Sequence, residues 1–221
     1  MTSFVKAIHL HGDSIFDNVS YVDSGNDECS VIEHLNDLIV PPTKAILYAV
    51  DGDTTRGTKD ILGKMNAFSD DTYAVLSCGG NDALQASPIL MVPANSVYDA
   101  LSTMNPIVNE FGKNYESLLW ELTNTYQKKN VRVCTVYNQI PIDGHSITEE
   151  VLLALRMFND VITELANQYG IELIDLRNIC DEYADYSPMS PIEPSHQGGE
   201  KIAKAIVKSF SMKTVNCKPT S

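Results

Sequence analysis

The chain has 221 residues, 43% of them hydrophobic and 20% charged, which is enough for one large globular domain with a substantial core. A formal charge of -13 sets its surface against phosphate backbones and anionic membranes, so nucleic acid is excluded as a partner; solubility alone accounts for that charge. Five cysteines at 29, 78, 134, 180 and 217, odd in number and without a Cys-x-x-Cys pair, argue against a disulfide framework and for a reducing cytoplasm.

In chain order, the first apolar run, Phe4–Leu10, is short and broken by Lys6 and His9, and reads as a strand rather than a signal peptide. Further strands are expected at Ala45–Val50, Tyr73–Ser77, Val131–Val136 and Ile171–Ile174. Before the fourth strand, Ile107, Phe111, Tyr115, Leu118, Leu122 and Tyr126 recur at steps of three or four and predict a helix. A second runs from about Glu149 to Tyr169, with Leu152, Leu155, Phe158, Ile162 and Leu165 on one face and Gly170 placed to stop it. A last helix covers roughly Gln197 to Phe210, with Ser195 as N-cap. No stretch approaches transmembrane length, so no membrane insertion is expected.

Alternating strands and helices predict a single domain over 1–221: an α/β, flavodoxin-like three-layer α/β/α sandwich with a five-stranded parallel sheet. In such sheets ligands bind beyond the carboxyl ends of the strands. The segments there carry the chemistry. Strand one ends in Gly12-Asp13-Ser14-Ile15-Phe16-Asp17-Asn18, strand two in Asp51-Gly52-Asp53-Thr54, and strand three in Gly79-Gly80-Asn81-Asp82. Near the C-terminus stands Ile192-Glu193-Pro194-Ser195-His196-Gln197-Gly198.

Four such blocks in this order resemble the SGNH (GDSL-type) hydrolase superfamily over nearly the whole chain. The resemblance implies a serine hydrolase of esterase, acylhydrolase or deacetylase type, cleaving an ester, thioester or O-acetyl group through an acyl-enzyme on Ser14. Its substrate would be a small acyl ester or an acylated sugar, and no cofactor is implied. By matching position, the oxyanion donors are the Ser14 N–H, the Gly52 N–H and the Asn81 side chain, since a developing oxyanion needs donors fixed in advance. The apolar segment Ser87–Asn95 is either a lid lining an acyl pocket or a connection packed on the core.

The last block departs from the superfamily pattern Asp-x-x-His-Pro-(Asn/Ser)-x-x-Gly, and two registers compete. In one, His196 is the base and Glu193 its orienting acid. In the other, Pro-Ser-x-x-Gly is aligned, Glu193 takes the histidine's place and Ser190 the aspartate's. The second matches more positions and resembles a bacterial branch with Ile-Glu-Pro-Ser here. A carboxylate near its usual pKa of about 4.3 is a weaker base than imidazole near about 6.5, unless burial raises it. His145, after strand four, is a further candidate; His9, His11 and His34 read as structural, and no histidine has zinc-ligand spacing.

Two alternatives stand beside this reading. One is a catalytically degenerate domain that binds an acylated or glycan ligand without turnover. The other comes from Asp51-Gly52-Asp53-Thr54-Thr55, which satisfies the Asp-x-Asp-x-Thr motif of haloacid-dehalogenase-type phosphatases, with Asp51 as nucleophile and Mg²⁺ required. Against the second, the motif lies on the second strand and no later acidic pair completes a Mg²⁺ site. Oligomeric state is not legible in the sequence.

Overall fold

The computed structural model describes residues 5–142, 144 and 147–214. His145 and Cys217 therefore lie outside the described residues. Strands β1 (Ala7–Gly12), β2 (Lys44–Leu47), β3 (Thr72–Ser77), β4 (Val131–Cys134) and β5 (Glu172–Ile174) form one parallel sheet in the order β2-β1-β3-β4-β5. Every residue of β1 is buried, as expected for a central parallel strand covered on both faces.

Among the described residues the helices are α1 (Val31–Leu38), α2 (Thr55–Leu62), α3 (Gly80–Ala86), α4 (Val97–Thr125), α5 (Glu149–Tyr169) and α6 (His196–Ser209). Right-handed crossovers dictate their placement. The chain first steps outward from β1 to β2, then reverses toward β3, β4 and β5. The reversal puts α1 and α6, which pack together, on one face and the row α2, α4, α5 on the other. This is the three-layer α/β/α arrangement. It leaves the switch point between β1 and β3, where sheets of this order bind ligands.

Local signals explain the element ends. Thr148 caps α5 by accepting the Val151 N–H, and Gly170 ends it in the left-handed conformation at φ 61°. Leu152, Leu155, Phe158, Ile162 and Leu165 are all buried against the core. Each such side chain contributes roughly 1.5–3 kcal/mol of burial. Ser30 and Glu33 form a capping box on α1, and Ser195 caps α6 through the Gly198 N–H. Helix α4 begins ten residues ahead of the periodic run, with Ser96 as its cap and Pro106 inside it. Its first turns bury no residue completely, so the apolar period does not reach them.

His9 and His11 are structural. They share one face of β1, and the Tyr126 hydroxyl lies 2.8 Å from Nδ1 of His9 and 2.8 Å from Nε2 of His11. Burial pushes the two imidazoles down to about 4 and about 3, so both are neutral at physiological pH. The hydroxyl has one proton, so one ring donates to it and the other accepts.

Candidate active site

The first wall of the site is the turn after β1. Gly12 sits at φ 126°, and a Cβ there would lie 1.6 Å from the Ser77 carbonyl oxygen. Only glycine allows β1 and β3 to run this close while the chain turns. The Asp13 N–H then donates to the Ser77 carbonyl, and the Phe16 and Asp17 N–H groups both return to the Asp13 carbonyl. Ser14 stands at the start of this tight turn, 7% exposed at the floor of a pocket.

The second element is the turn after β2, which meets Asn81 through the Asp53 carbonyl and whose residues are not among those that line the pocket. The Asp53 N–H donates to the Val50 carbonyl, with Gly52 between them at φ 79°, the position of a type II turn that favours glycine. Asp51 and Asp53 are spent on this architecture. Asp51 accepts from the Tyr21 hydroxyl at 2.8 Å, and Asp53 accepts from Thr54 N–H and the Thr58 hydroxyl at the start of α2. Among the described residues, no backbone hydrogen bond consumes the Ser14 or Gly52 N–H.

The third wall follows β3. Asn81 lines the pocket beside Ser14. One of its two amide hydrogens is held by the Asp53 carbonyl at 2.9 Å, which fixes the side chain and leaves the second for the pocket. Its neighbour Asp82 turns the other way and accepts from Thr55 N–H and Oγ1, tying the same two blocks together. Removing one oxyanion donor typically costs ~10²–10³ in kcat. Asn81→Ala is expected to lower kcat by that amount with KM little changed; an effect on KM alone would assign Asn81 to binding.

The fourth wall separates the two registers. Glu193 is buried in the pocket that Ser14 also lines, and the Ser14 hydroxyl beside it favours its charged form. The backbone around it is clamped. Tyr137 donates to the Ile192 carbonyl at 2.6 Å, Asn18 to the Pro194 carbonyl at 3.0 Å, and the Ser187 N–H to the Glu193 carbonyl at 2.9 Å. His196 is elsewhere. It opens α6, its Nδ1 accepts the Cys29 N–H at 2.8 Å, and its ring packs against His34 at 4.5 Å between centroids. Of the two registers, the one with His196 as base is disfavoured by these contacts, and the favoured one with Glu193 in the pocket fits them. The side chain that follows the Ser195 cap turns toward α1, away from Ser14. Ser190, in the aspartate's place, meets Glu193 only through its carbonyl, which accepts the Glu193 N–H. Glu193 Oε2 is buried with no hydrogen-bond partner among the described residues.

Burial is the largest influence on both carboxyls here. It raises Glu193 to about 7, against the lowering effect of the Ser14 hydroxyl beside it. It raises Asp13, wholly enclosed beside Ser14, to about 8, with the charge of Glu193 adding to the shift. Asp13 Oδ1 accepts the Ile15 N–H at 3.2 Å. At neutral pH Asp13 is therefore a carboxylic acid, and Glu193 is poised between its two forms. The sequence allowed for a raised Glu193 but gave no sign of the shift at Asp13.

Beyond this polar end the pocket is apolar, enclosing about 850 Å³ with its open mouth included. Leu84, Ile89, Leu90, Met104, Leu155 and Phe158 are among its lining residues. The segment after α3 thus lines the pocket through Ile89 and Leu90. Among the described residues no group of three or more His, Cys, Asp or Glu side chains is arranged to hold a metal ion.

Solved structures share the fold. A lipolytic protein of the G-D-S-L family from Veillonella parvula superposes with a TM-score of 0.66 at 16% identity, over 94% of this chain and 99% of that one. Phospholipase A1 from Streptomyces albidoflavus gives 0.65 at 17% identity, over 94% and 100%. An acetylxylan esterase from Geobacillus stearothermophilus, solved as a catalytic mutant, gives 0.63 at 14%, over 99% and 100%. A 97-residue stretch is 27% identical to adenylosuccinate synthetase of Clostridium kluyveri, but it spans 44% of this chain and only 21% of that protein. Such a fragment carries no activity across, and the phosphatase reading of Asp51 finds no support. Residues 10–200 match the GDSL-like Lipase/Acylhydrolase family, a family of hydrolases of ester substrates, and the chain belongs to it.

Proposed function

We propose that the protein hydrolyses a carboxylic ester with an acyl chain of several carbons, using Ser14 as nucleophile and Glu193 as the group that moves the proton. The observation that carries this is the placing of Ser14 and the Glu193 carboxylate together at the buried polar end of one pocket, where burial raises the carboxyl to about 7. Ser14 Oγ attacks the acyl carbon while its proton passes to Glu193. The oxyanion is held by the Ser14 and Gly52 N–H groups and by Asn81. Collapse breaks the bond to the alcohol, which leaves with the proton from Glu193. Water repeats the sequence on the acyl-enzyme, giving up its proton to Glu193 and releasing the acid and free Ser14. The apolar lining of the pocket, from Leu84 to Phe158, favours an acyl chain over a polar group.

A p-nitrophenyl ester series from acetate to decanoate, run with EDTA, tests this. The expected result is kcat/KM rising by at least about tenfold from acetate to the best chain length, since each buried methylene contributes ~0.8 kcal/mol. Its pH profile should climb as Glu193 ionises through about 7. A flat chain-length series, or activity that EDTA removes, would count against the proposal.

The second reading, a ligand-binding domain without turnover, is favoured by one feature, the absence of an orienting partner on Glu193 Oε2 among the described residues. It predicts that no ester in the series is cleaved.

A further inference from the structure

The rim of the acyl pocket does not end in polar residues. On α4, Met104 and Val108 line the pocket, and Val97 and Leu101 continue the same helical stripe outward at steps of three and four. On the segment before it, Ile89 and Leu90 line the pocket, and Met91 and Val92 follow directly. These continuations are open to solvent: Met91 is 86% exposed, Val92 52%, Val97 77%, Tyr98 79% and Leu101 49%. Between Asp82 and Glu110 the only charged side chain is Asp99, in a protein of net charge -13. Contiguous apolar surface of this kind is rare without a partner. Acidic residues border the mouth, because Glu149 and Glu150 open α5 just before the lining residues Val151 and Leu152.

We propose that Met91, Val92, Val97, Tyr98 and Leu101 form a docking surface for the uncharged or zwitterionic face of a lipid aggregate, from which an acyl chain passes into the pocket. The inference rests on the esterase reading, and it names the physical form in which the substrate is met. Charge selects the occupant. A patch with one charge suits a surface without net charge, and the flanking acidic residues repel an anionic one. Continuity selects the role, since the exposed stripe and the pocket wall are one apolar surface.

The test uses Ser14→Ala protein, so that binding is read without turnover, sedimented with phosphatidylcholine vesicles or with phosphatidylglycerol vesicles. Binding to phosphatidylcholine is expected, weaker binding to phosphatidylglycerol, and at least a tenfold loss when Met91→Ser, Val97→Ser and Tyr98→Ser are combined. In the otherwise native enzyme the same triple substitution should leave hydrolysis of soluble p-nitrophenyl butyrate within about twofold, since none of the three lines the pocket. Equal binding by the triple variant, no binding to phosphatidylcholine, or equal binding to both lipids would overturn the proposal. So would a dimer in solution that the triple variant splits, because the patch would then be covered by a second copy. Vesicle binding without any ester hydrolysis would support this surface and overturn the esterase reading.

Discussion

Ser14→Ala should remove ester hydrolysis almost completely, by about 10⁶-fold in kcat if the serine and its base act as one unit. The same substitution should abolish labelling by a fluorophosphonate probe. The reason is the turn that holds it. Gly12 and Asp13 fix the backbone against Ser77, and the hydroxyl faces a carboxylate rather than solvent. The change is a single oxygen in a buried position, so the fold should be retained. Probe labelling of wild type that persists in Ser14→Ala would show a different nucleophile. No labelling of wild type at all would favour the binding-domain reading.

Glu193→Gln is expected to lower kcat by ~10²–10⁴, the usual contribution of a general base. The amide keeps the shape and loses the affinity for a proton. His196→Ala should stay within about twofold in kcat, at a stability cost of roughly 1 kcal/mol for the lost Cys29 hydrogen bond. The opposite pattern would sink the assignment of Glu193. Stability supplies an independent check. Glu193 binds its proton more tightly in the folded chain than in the unfolded one, so the stability this confers is fully present below about 4.5 and is lost as pH rises through about 7. Gln cannot ionise. Glu193→Gln should therefore exceed wild type in stability at pH 9, while being the poorer enzyme.

Much of this was legible in the chain. Helix α5 begins and ends at the residues its caps indicate, because Thr148 and Gly170 act locally. The three strand-end blocks were legible because glycine and asparagine in them answer to backbone geometry. The choice between Glu193 and His196 was open, since both lie within four residues and only the clamp on Ile192 and Pro194 decides which one faces Ser14. Asn18 was quoted as part of a motif, yet its task could not be read there, since both its partners are distant. The perturbed Asp13 was missed for the same reason. Its enclosure is made by segments far away in sequence.

Asn18 has a consequence for the order in which activity arises. Its side chain accepts the Val31 N–H, 13 residues on, and donates to the Pro194 carbonyl, 176 residues on. The loops that carry Ser14 and Glu193 are therefore joined by a contact of very long range, slow to form and entropically costly. While the chain is being synthesised, the sheet strands that carry Ser14, Gly52 and Asn81 emerge well before residue 193. On the proposed mechanism, a chain that ends before residue 193 holds the serine and its oxyanion donors without the group that takes the proton. On that mechanism such a chain is inactive until the segment carrying Glu193 closes on Asn18 through the Pro194 carbonyl.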